Sequence, residues 1–397
     1  MRRVVLLCTL LAALSVVDAG AQTPAAPAPA APTAAAPAAA TPDLKTLIGN
    51  LSSLDYASRM NAARLIRRMA PAQAIPALTE AVRRHPDEYV RNRAFILLTA
   101  FNDRGTADLA KSLIADRNDR LRESVFKWLE QHPDPQLVAT LLGTLQTETG
   151  EFVRPALIGA LTGVDQDPQV QRALVAEAGR GLDFFRSAVI DVLGRRHAVY
   201  AVDAIAPLTT DPGTLQQDAV IAIGRIGGPK ADGILAAVTG ASPEVQMTLR
   251  AATCLAGKNC PMQITTLAEV AGRDKERPAV IRAAISGLAA IAESGNAGAL
   301  RALLDLNSKV PALRDEVGLR FSALALRRPP IVLDWFDSAP QPSRDAAFTL
   351  LKDGFDSLDD DYAEEQFFAA TRATYWQAAE NSPTRTVTAA IIQRLEF

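Results

Sequence analysis

One feature of this sequence constrains its fold more than any other: a repeating unit of about 32 residues. In each unit an arginine is followed by small or apolar residues three, six and seven positions later, as in EYVRNRAFILL from Glu88. The spacings run from 30 to 36 residues, with a last one of 41, and glutamine takes the arginine position in two units, at Gln216 and Gln246. We call this pattern of an arginine and three following apolar positions the frame. Its arginines are Arg59, Arg91, Arg122, Arg154, Arg186, Arg282, Arg314, Arg344 and Arg385. A period of this length is typical of repeat architectures.

The spacing within each unit predicts an amphipathic helix that begins near the arginine. A second apolar-periodic stretch lies between consecutive units, for example AIPALTEAVRR from Ala74, and turn residues such as Asp211-Pro212-Gly213 separate the two stretches. Strand signals are almost absent. Each unit is therefore predicted to be a helical hairpin that cannot bury its apolar face alone, and about eleven such hairpins would stack into an all-α, curved α-solenoid.

The frame resembles that of HEAT-repeat proteins, including the short bacterial HEAT-like repeats, over roughly residues 44–351. In that family an acidic residue begins the second helix and the arginine follows it, as in the pairs Asp87/Arg91 and Glu151/Arg154 here. The resemblance implies that the arginines bridge to acidic residues of neighbouring repeats as an internal ladder. The ladder residues are Arg59, Arg91, Arg122, Arg154, Arg186, Arg282, Arg314 and Arg344. Gln216 and Gln246 interrupt this ladder, so we expect a softer joint or altered curvature near the middle.

The first 21 residues have the pattern of an export signal. Arg2 and Arg3 precede an almost entirely apolar run, Val4 to Val17, and Ala19-Gly20-Ala21 supplies a small-residue cleavage site. The run is shorter than the ~20 residues that span a bilayer, so we expect cleavage after Ala21 and no transmembrane segment in the mature chain. Arginine outnumbers lysine 34 to 8, which is typical of a GC-rich bacterial genome. The predicted location is periplasmic or secreted.

The predicted domain order follows from composition. Residues 22–42 are rich in alanine and proline and predict a disordered linker. Residues 43–330 predict the repeat solenoid, and residues 331–397 an aromatic- and acid-rich helical cap of the same solenoid. Residues 43–130 carry a net charge of +4 and residues 331–397 a net charge of −7. Within the acid-rich end, Asp359, Asp360 and Asp361 are expected to crowd the N-terminus of a helix, where negative charge is favourable.

The sequence contains no recognisable catalytic or cofactor-binding motif. The three histidines, His85, His132 and His197, belong to no metal-binding spacing, and no nucleotide-binding or nucleophile motif occurs. HEAT-type deoxyhypusine hydroxylases bind iron through His-Glu pairs, whereas proline or alanine follows each histidine here. We therefore expect no enzyme activity, no cofactor and no metal. The small positive excess of the N-terminal end argues against nucleic-acid binding.

Cys254 and Cys260 have five residues between them and lie at a turn between two predicted helices. Export makes oxidation favourable, and removal of Cys8 with the signal would leave an even pair. A disulfide between Cys254 and Cys260 is the favoured interpretation, with a pair of reduced thiols as the alternative.

The last 67 residues contain 10 of the 21 aromatic residues. Large side chains suit a terminal unit with one neighbour, but aromatic residues are also enriched at binding hot spots, which leaves a partner surface as the alternative. The six residues of this possible surface are Trp335, Phe336, Phe367, Phe368, Tyr375 and Trp376. The segments LDWF and EQFFAATR faintly resemble the helical C-terminal domain of zinc aminopeptidases.

The predicted function is a non-catalytic scaffold that binds a protein or peptide in the bacterial cell envelope. A solenoid offers a long surface along its second helices, on which Arg64, Arg93, Glu123 and Asp191 are candidate contact positions. The alternative is a non-catalytic subunit, or a degenerate relative of an envelope enzyme, that docks its substrate or partner through the aromatic C-terminus.

Overall fold

The computed structural model describes residues 43–273 and 275–395. The predicted signal peptide and linker, residues 1–42, lie outside this part of the chain. The described residues form helices and no strand. The first twelve helices are α1 Leu44–Gly49, α2 Tyr56–Arg67, α3 Pro71–Arg84, α4 Glu88–Thr99, α5 Gly105–Ser112, α6 Asp119–Gln131, α7 Val138–Thr147, α8 Val153–Gly163, α9 Pro168–Ala178, α10 Asp183–Arg195, α11 Val202–Ile205 and α12 Gln216–Ile226.

The remaining ten helices continue the same alternation. They are α13 Gly228–Ala237, α14 Pro243–Leu255, α15 Cys260–Ala271, α16 Pro278–Glu293, α17 Ala297–Lys309, α18 Arg314–Arg327, α19 Pro329–Ser338, α20 Gln341–Leu358, α21 Asp361–Gln377 and α22 Pro383–Arg394. Odd-numbered helices are the first helices and even-numbered helices the second helices of eleven consecutive hairpins, here called units 1 to 11. The predicted all-α solenoid of eleven hairpins is confirmed.

Local sequence explains where the helices begin. Asp55, Asp87 and Asn118 stand just before α2, α4 and α6, and each side chain accepts a hydrogen bond from a backbone N–H of the first turn. Such caps satisfy donors that have no partner within the helix. Several other helices begin with proline, whose missing N–H costs nothing at that position, as at Pro71 and Pro278.

The second helices of neighbouring units pack on each other more extensively than the first helices do, most of all α6 on α8 and α18 on α20. The array therefore curves with its second helices on the inside. The closest approach joins α10, α12 and α14: a Cβ on Gly194 would lie 2.7 Å from the Cα of Ala222, and one on Gly224 2.5 Å from the Cα of Ala252. Glycine is required at both positions because no side chain fits between these backbones.

The buried apolar residues form two clusters that meet at α14. Val245 and Ala252 of α14 belong to the cluster of the N-terminal units, while Met247 and Ala251 belong to that of the C-terminal units. This division falls in unit 7, whose frame residue is Gln246. The sequence predicts a softer joint in this region, and the softness of that joint stays a prediction.

The C-terminal units return to the N-terminal units. Helix α21 packs against α4, and Tyr362 of α21 is buried in the N-terminal cluster. We call this contact between α20–α22 and units 1–3 the closure. The array of residues 43–395 thus closes on itself, and unit 11 is covered on a second side by the units that begin the stack.

Candidate interaction surfaces

Nine of the eleven frame positions share one contact, a hydrogen bond to the backbone of their own unit; among the described residues Arg282 and Arg314 do not form it. Arg91 donates from Nε to the carbonyl of Val82 at 2.7 Å, and Arg122 donates to that of Asp116 at 2.7 Å. Gln216 and Gln246 donate in the same way to the carbonyls of Thr209 and Ala241, both at 3.0 Å. Carbonyls at or after the end of the first helix also accept from Arg59, Arg154, Arg186, Arg344 and Arg385. An amide supplies this donor as well as a guanidinium does, which explains why glutamine can replace arginine.

The predicted bridges to neighbouring units form at only half of the ladder positions. Arg91 pairs with Asp116 at 2.5 Å, Arg122 pairs with Glu148 at 3.0 Å, and Arg154 pairs with Glu177. Each acid belongs to the next unit. The exposed Arg314 also reaches Asp353 of the next unit.

The other four positions correct the expectation of a continuous ladder. Arg186 pairs with Asp183 of its own helix, and Arg344 binds only the carbonyls of Asp337 and Ala339. Arg282 is exposed on α16. Arg59 lies over the Tyr56 ring and forms no ion pair within the described residues. An acid in the following turn does not suffice for a bridge: Asp87 lies in the turn that follows Arg59, but its carboxylate caps α4 by accepting from the N–H groups of Tyr89 and Val90.

An exposed row of aromatic and arginine side chains marks the start of the second helices in units 1 to 5. Its members are Tyr56, Tyr89, Arg120, Phe152 and Phe184, which we call the rim row. The four rings are 57%, 44%, 57% and 59% exposed. Each residue stands two or three positions before the ladder residue, so the row has the period of the repeat. Rings held at one position of successive units form a continuous edge, since each unit contacts its neighbour in the same way.

Arginines stack on the rim row. The Arg120 guanidinium lies 5.0 Å from the centre of the Phe152 ring, which joins unit 3 to unit 4. Arg93 lies 4.8 Å from the centre of the Tyr89 ring and donates to its hydroxyl at 2.7 Å. Stacked guanidinium groups hold the rings in place and leave their outer faces in solvent. Phe and Tyr rings with Arg, fixed but exposed, have the composition of protein-binding hot spots.

The contact positions predicted on the second helices are largely engaged within the chain. Arg93 pairs with Asp361 of α21, Glu123 pairs with Lys127, and Asp191 pairs with Arg195 and Arg225. Arg64 alone of the four forms no ion pair in the described residues, and its guanidinium donates to Asn61. The rim row, and not these four charges, is therefore the open part of the inner face in units 1 to 5.

The closure is held by charges of opposite sign. Arg67 of α2 donates to Glu365 at 2.7 Å, Arg93 of α4 lies 2.7 Å from Asp361, and Lys127 of α6 contacts Asp360 at 3.0 Å. Burial works against the charge on Lys127, but Asp360 and Glu123 outweigh it and raise the pKa of the amine. Asp360 also caps α21 by accepting from the N–H of Ala363, as expected for the acid run.

A second charged cluster links non-adjacent second helices. Arg225 of α12 contacts Asp191 of α10 and Glu293 of α16, both at 2.7 Å. Burial opposes ionisation of Asp191, but Arg195, Arg225 and Arg327 outweigh it and lower its pKa. This cluster therefore joins α10, α12 and α16 through ion pairs.

The six aromatic residues of the predicted C-terminal surface do not form a surface. Phe336, Phe367 and Phe368 are completely or almost completely buried. Phe336 stacks on Phe348, and Phe367 packs edge-on against Phe355. This corrects the partner-surface alternative for these three residues, because they supply the apolar core of units 10 and 11.

The other three aromatic residues are more accessible. Trp335 and Tyr375 are half-buried, and Trp376 is 71% exposed. Arg385 stacks on both Tyr375 and Trp376. The resemblance of this segment to aminopeptidases stays a prediction.

Cys254 ends unit 7 and Cys260 begins unit 8. The structure joins their sulfurs in a disulfide, with Cα atoms 4.2 Å apart. Their oxidation in the cell stays a prediction.

The histidines take part in local structure. His132 stacks on Trp128, and His85 accepts a hydrogen bond from the N–H of Asp87. Across residues 43–273 and 275–395, no group of three or more His, Cys, Asp or Glu side chains is placed to hold a metal ion. In the same residues no helix is both long and apolar enough to cross a bilayer.

Stacked helical hairpins with a shared frame define a helical-repeat solenoid. Residues 44–125 and 75–162 match the family model for HEAT repeats. This part of the chain therefore consists of HEAT repeats, and the resemblance seen in the sequence is confirmed there. No curated protein sequence matches the chain significantly.

Solved structures of similar fold include importin beta, at 14% identity over 89% of this chain and a TM-score of 0.38. Human deoxyhypusine hydroxylase in complex with glycerol aligns at 16% identity over 73% of this chain and 98% of its own, with a TM-score of 0.29. Kap121p aligns at 13% identity over 89% of this chain and 36% of its own, with a TM-score of 0.32. The aligned part covers 55% of importin beta. Folds shared at this level do not indicate function.

Proposed function

We propose that this chain is an exported, non-catalytic scaffold that binds a protein or peptide in the bacterial cell envelope through its rim row. The observation that carries the proposal is the exposure of Tyr56, Tyr89, Phe152 and Phe184 at one position of successive units. Large aromatic side chains bury a large area against a partner and are enriched at protein interfaces. An edge that repeats them every unit presents several such contacts to one partner.

The setting is supported by two features of the chain. Residues 1–21 have the pattern of an export signal. The proximity of Cys254 and Cys260 is compatible with an oxidising compartment, in which the two thiols would form a disulfide. The mechanism is shape and contact, with the HEAT-repeat array as a rigid support for the row.

The proposal is tested with the tagged protein in its native envelope, by chemical crosslinking and mass spectrometry of co-purified proteins. The variant F152A/F184A removes two exposed rings, and we expect it to lose a partner that the wild type retains. M262A is the matched control, since Met262 is an exposed apolar residue on the first helix α15, away from the row. All three proteins should unfold at the same temperature. A partner captured equally by the wild type and the rim variant would refute the choice of surface.

A further inference from the structure

Glu364 occupies the centre of the closure. It lines a cavity between α21, α2 and α4 together with Arg67, Arg93 and Phe368. It also lines a second cavity of about 320 Å³ on the side of Tyr56. Its neighbours Asp361 and Glu365 are paired with arginines across the closure, but Glu364 itself forms no ion pair within the described residues.

Charged and titratable groups face Glu364 from its own helix and from four others, and most of them are acidic or already paired. Asp361 and Glu365 lie on its own helix, and Asp356 faces it from α20. The cations of α2 and α4 are each paired with another acid, Arg67 with Glu365 and Arg93 with Asp361, although each keeps one buried nitrogen without an acceptor. The remaining groups around the two cavities are Tyr56 and Arg64 of α2, the exposed Lys352 of α20, and Arg394 of α22, which pairs with Asp345.

These surroundings favour the protonated, neutral form of the Glu364 carboxyl group over the ionised form. Burial is the largest cause and raises the pKa of Glu364 to about 7, with Asp361, Glu365 and Asp356 adding to the rise and Arg67 opposing it. Burial also raises the pKa of Asp361, against the opposing effect of Arg93.

The closure also contains most of the buried polar atoms that lack a hydrogen-bond partner. Five of the eight such atoms in the described residues lie on Arg59, Arg67, Arg93, Tyr362 and Arg372. The interior of a permanent core satisfies its polar groups almost completely. A contact that leaves several donors without a protein acceptor is closer to an inter-domain interface, which opens more easily than a core.

We infer that the closure is a pH-sensitive latch, held shut while Glu364 is protonated and loosened when Glu364 ionises. When the array is closed, the carboxylate would sit beside three other acids without a partner; when it opens, water solvates it. The closed form therefore binds the proton more tightly than the open form. The extra stability of the closed form is complete below pH 4.5, the ordinary pKa of a glutamate side chain. It is lost as the pH rises through about 7, the pKa of Glu364 in the closed form. Opening would uncover Met60, Ile96 and Leu97 on the inner face of units 1 and 2.

The latch is tested by hydrogen exchange of the full chain at pH 5.5 and pH 8.0, corrected for the intrinsic rate. In the wild type we expect the protection of the α21 amides to fall by about ten- to thirtyfold across this range. In E364Q, whose side chain is always neutral, protection should stay at its low-pH value. D218N is the matched control, because burial also raises the pKa of Asp218, but this residue lies on α12 beside Ser187, outside the closure. D218N should respond to pH as the wild type does.

Equal protection of wild-type α21 at both pH values would overturn the inference, as would the same loss in E364Q. If E364Q does not fold, the pH dependence of the wild type decides, since the logarithm of its protection must fall between about pH 4.5 and pH 7 and level off above pH 7. A flat curve, or protection that keeps falling at the same rate well above pH 7, contradicts the latch. The closure would respond to pH in this way whether or not the rim row binds a protein.

Discussion

Arg67 and Glu365 lie 298 positions apart in the sequence, and their side chains meet at 2.7 Å in the closure. Both are almost fully buried, with 6% and 2% of the side chain exposed. The Arg67 guanidinium also lies over the Phe368 ring. A solenoid is ordinarily stabilised by contacts between adjacent repeats. This pair adds a contact between the beginning and the end of the stack, so the described array resists unwinding at both ends.

Removing one partner of this pair should be costly. E365Q leaves Arg67 and Arg372 buried near a neutral amide, and we expect a loss of about 3 kcal/mol in the free energy of unfolding, because an uncompensated buried charge remains. The measurement is the urea midpoint followed by circular dichroism. E80Q is the control, since Glu80 pairs with Arg84 in an exposed contact worth less than about 1 kcal/mol. Equal midpoints for the two variants would show that the closure adds little stability.

The ladder arginines should differ in their tolerance of glutamine. R186Q keeps an N–H donor for the carbonyl of Ala178 and loses only an exposed pair within its own helix, so we expect a cost below about 1 kcal/mol. R91Q loses the bidentate pair with Asp116 and should cost about 2–4 kcal/mol. Thermal unfolding of R91Q, D116N and the double variant measures the coupling. A coupling near zero would contradict the assigned bridge.

The contact between α12 and α14 should tolerate no added carbon. A Cβ at Gly224 would lie 2.5 Å from the Cα of Ala252, so G224A should destabilise the protein by about 1–3 kcal/mol or more. At Gly233 of α13 nothing lies within 4 Å, and G233A should stabilise by up to about 1 kcal/mol because alanine favours the helix. Urea unfolding of both variants tests the comparison. Stabilisation by G224A would show that the two helices are not so close.

The Cys254–Cys260 disulfide should be present in the exported protein and contribute modestly to stability. Closing so short a loop removes about 2 kcal/mol of unfolded-state entropy in the chain-entropy account. Peptide mass spectrometry with and without a reducing agent detects the bond, and C254S/C260S should lower the unfolding midpoint. Two free thiols in protein isolated from its envelope would favour the reduced alternative.

Much of the fold could be predicted from local sequence, because each hairpin depends on residues close together in the chain. The frame of Arg91, Ala94 and Leu98 contains the buried stripe of one helix, and caps such as Asp87 mark where that helix begins. The number of units follows from counting the frame.

The closure could not be predicted in the same way. The charges of +4 on residues 43–130 and −7 on residues 331–397 did not by themselves predict that the two ends meet. Which residues meet depends on the small rotation between successive units, summed over the whole stack. The pairing of Lys127 with Asp360 is therefore visible only in the structure.

The rim row was missed for another reason. Tyr89, Phe152 and Phe184 each stand two positions before a ladder residue. Their regular position in the repeat was therefore visible in the sequence. An aromatic residue in a helical frame ordinarily indicates the core. The structure shows instead that these rings lie at the turn that begins each second helix, where the neighbouring unit does not cover them.

The central claim is that a protein partner contacts the rim row, and site-specific photocrosslinking in the native envelope tests it most directly. A photoreactive residue replaces Phe184 in one variant and Met262 in another, so that equally exposed positions on and off the row are compared. We expect a discrete crosslinked band from position 184 that contains one partner and is absent from position 262. A band of equal intensity from position 262, or none from position 184 in a folded protein, would contradict the assignment of the rim row as the binding surface.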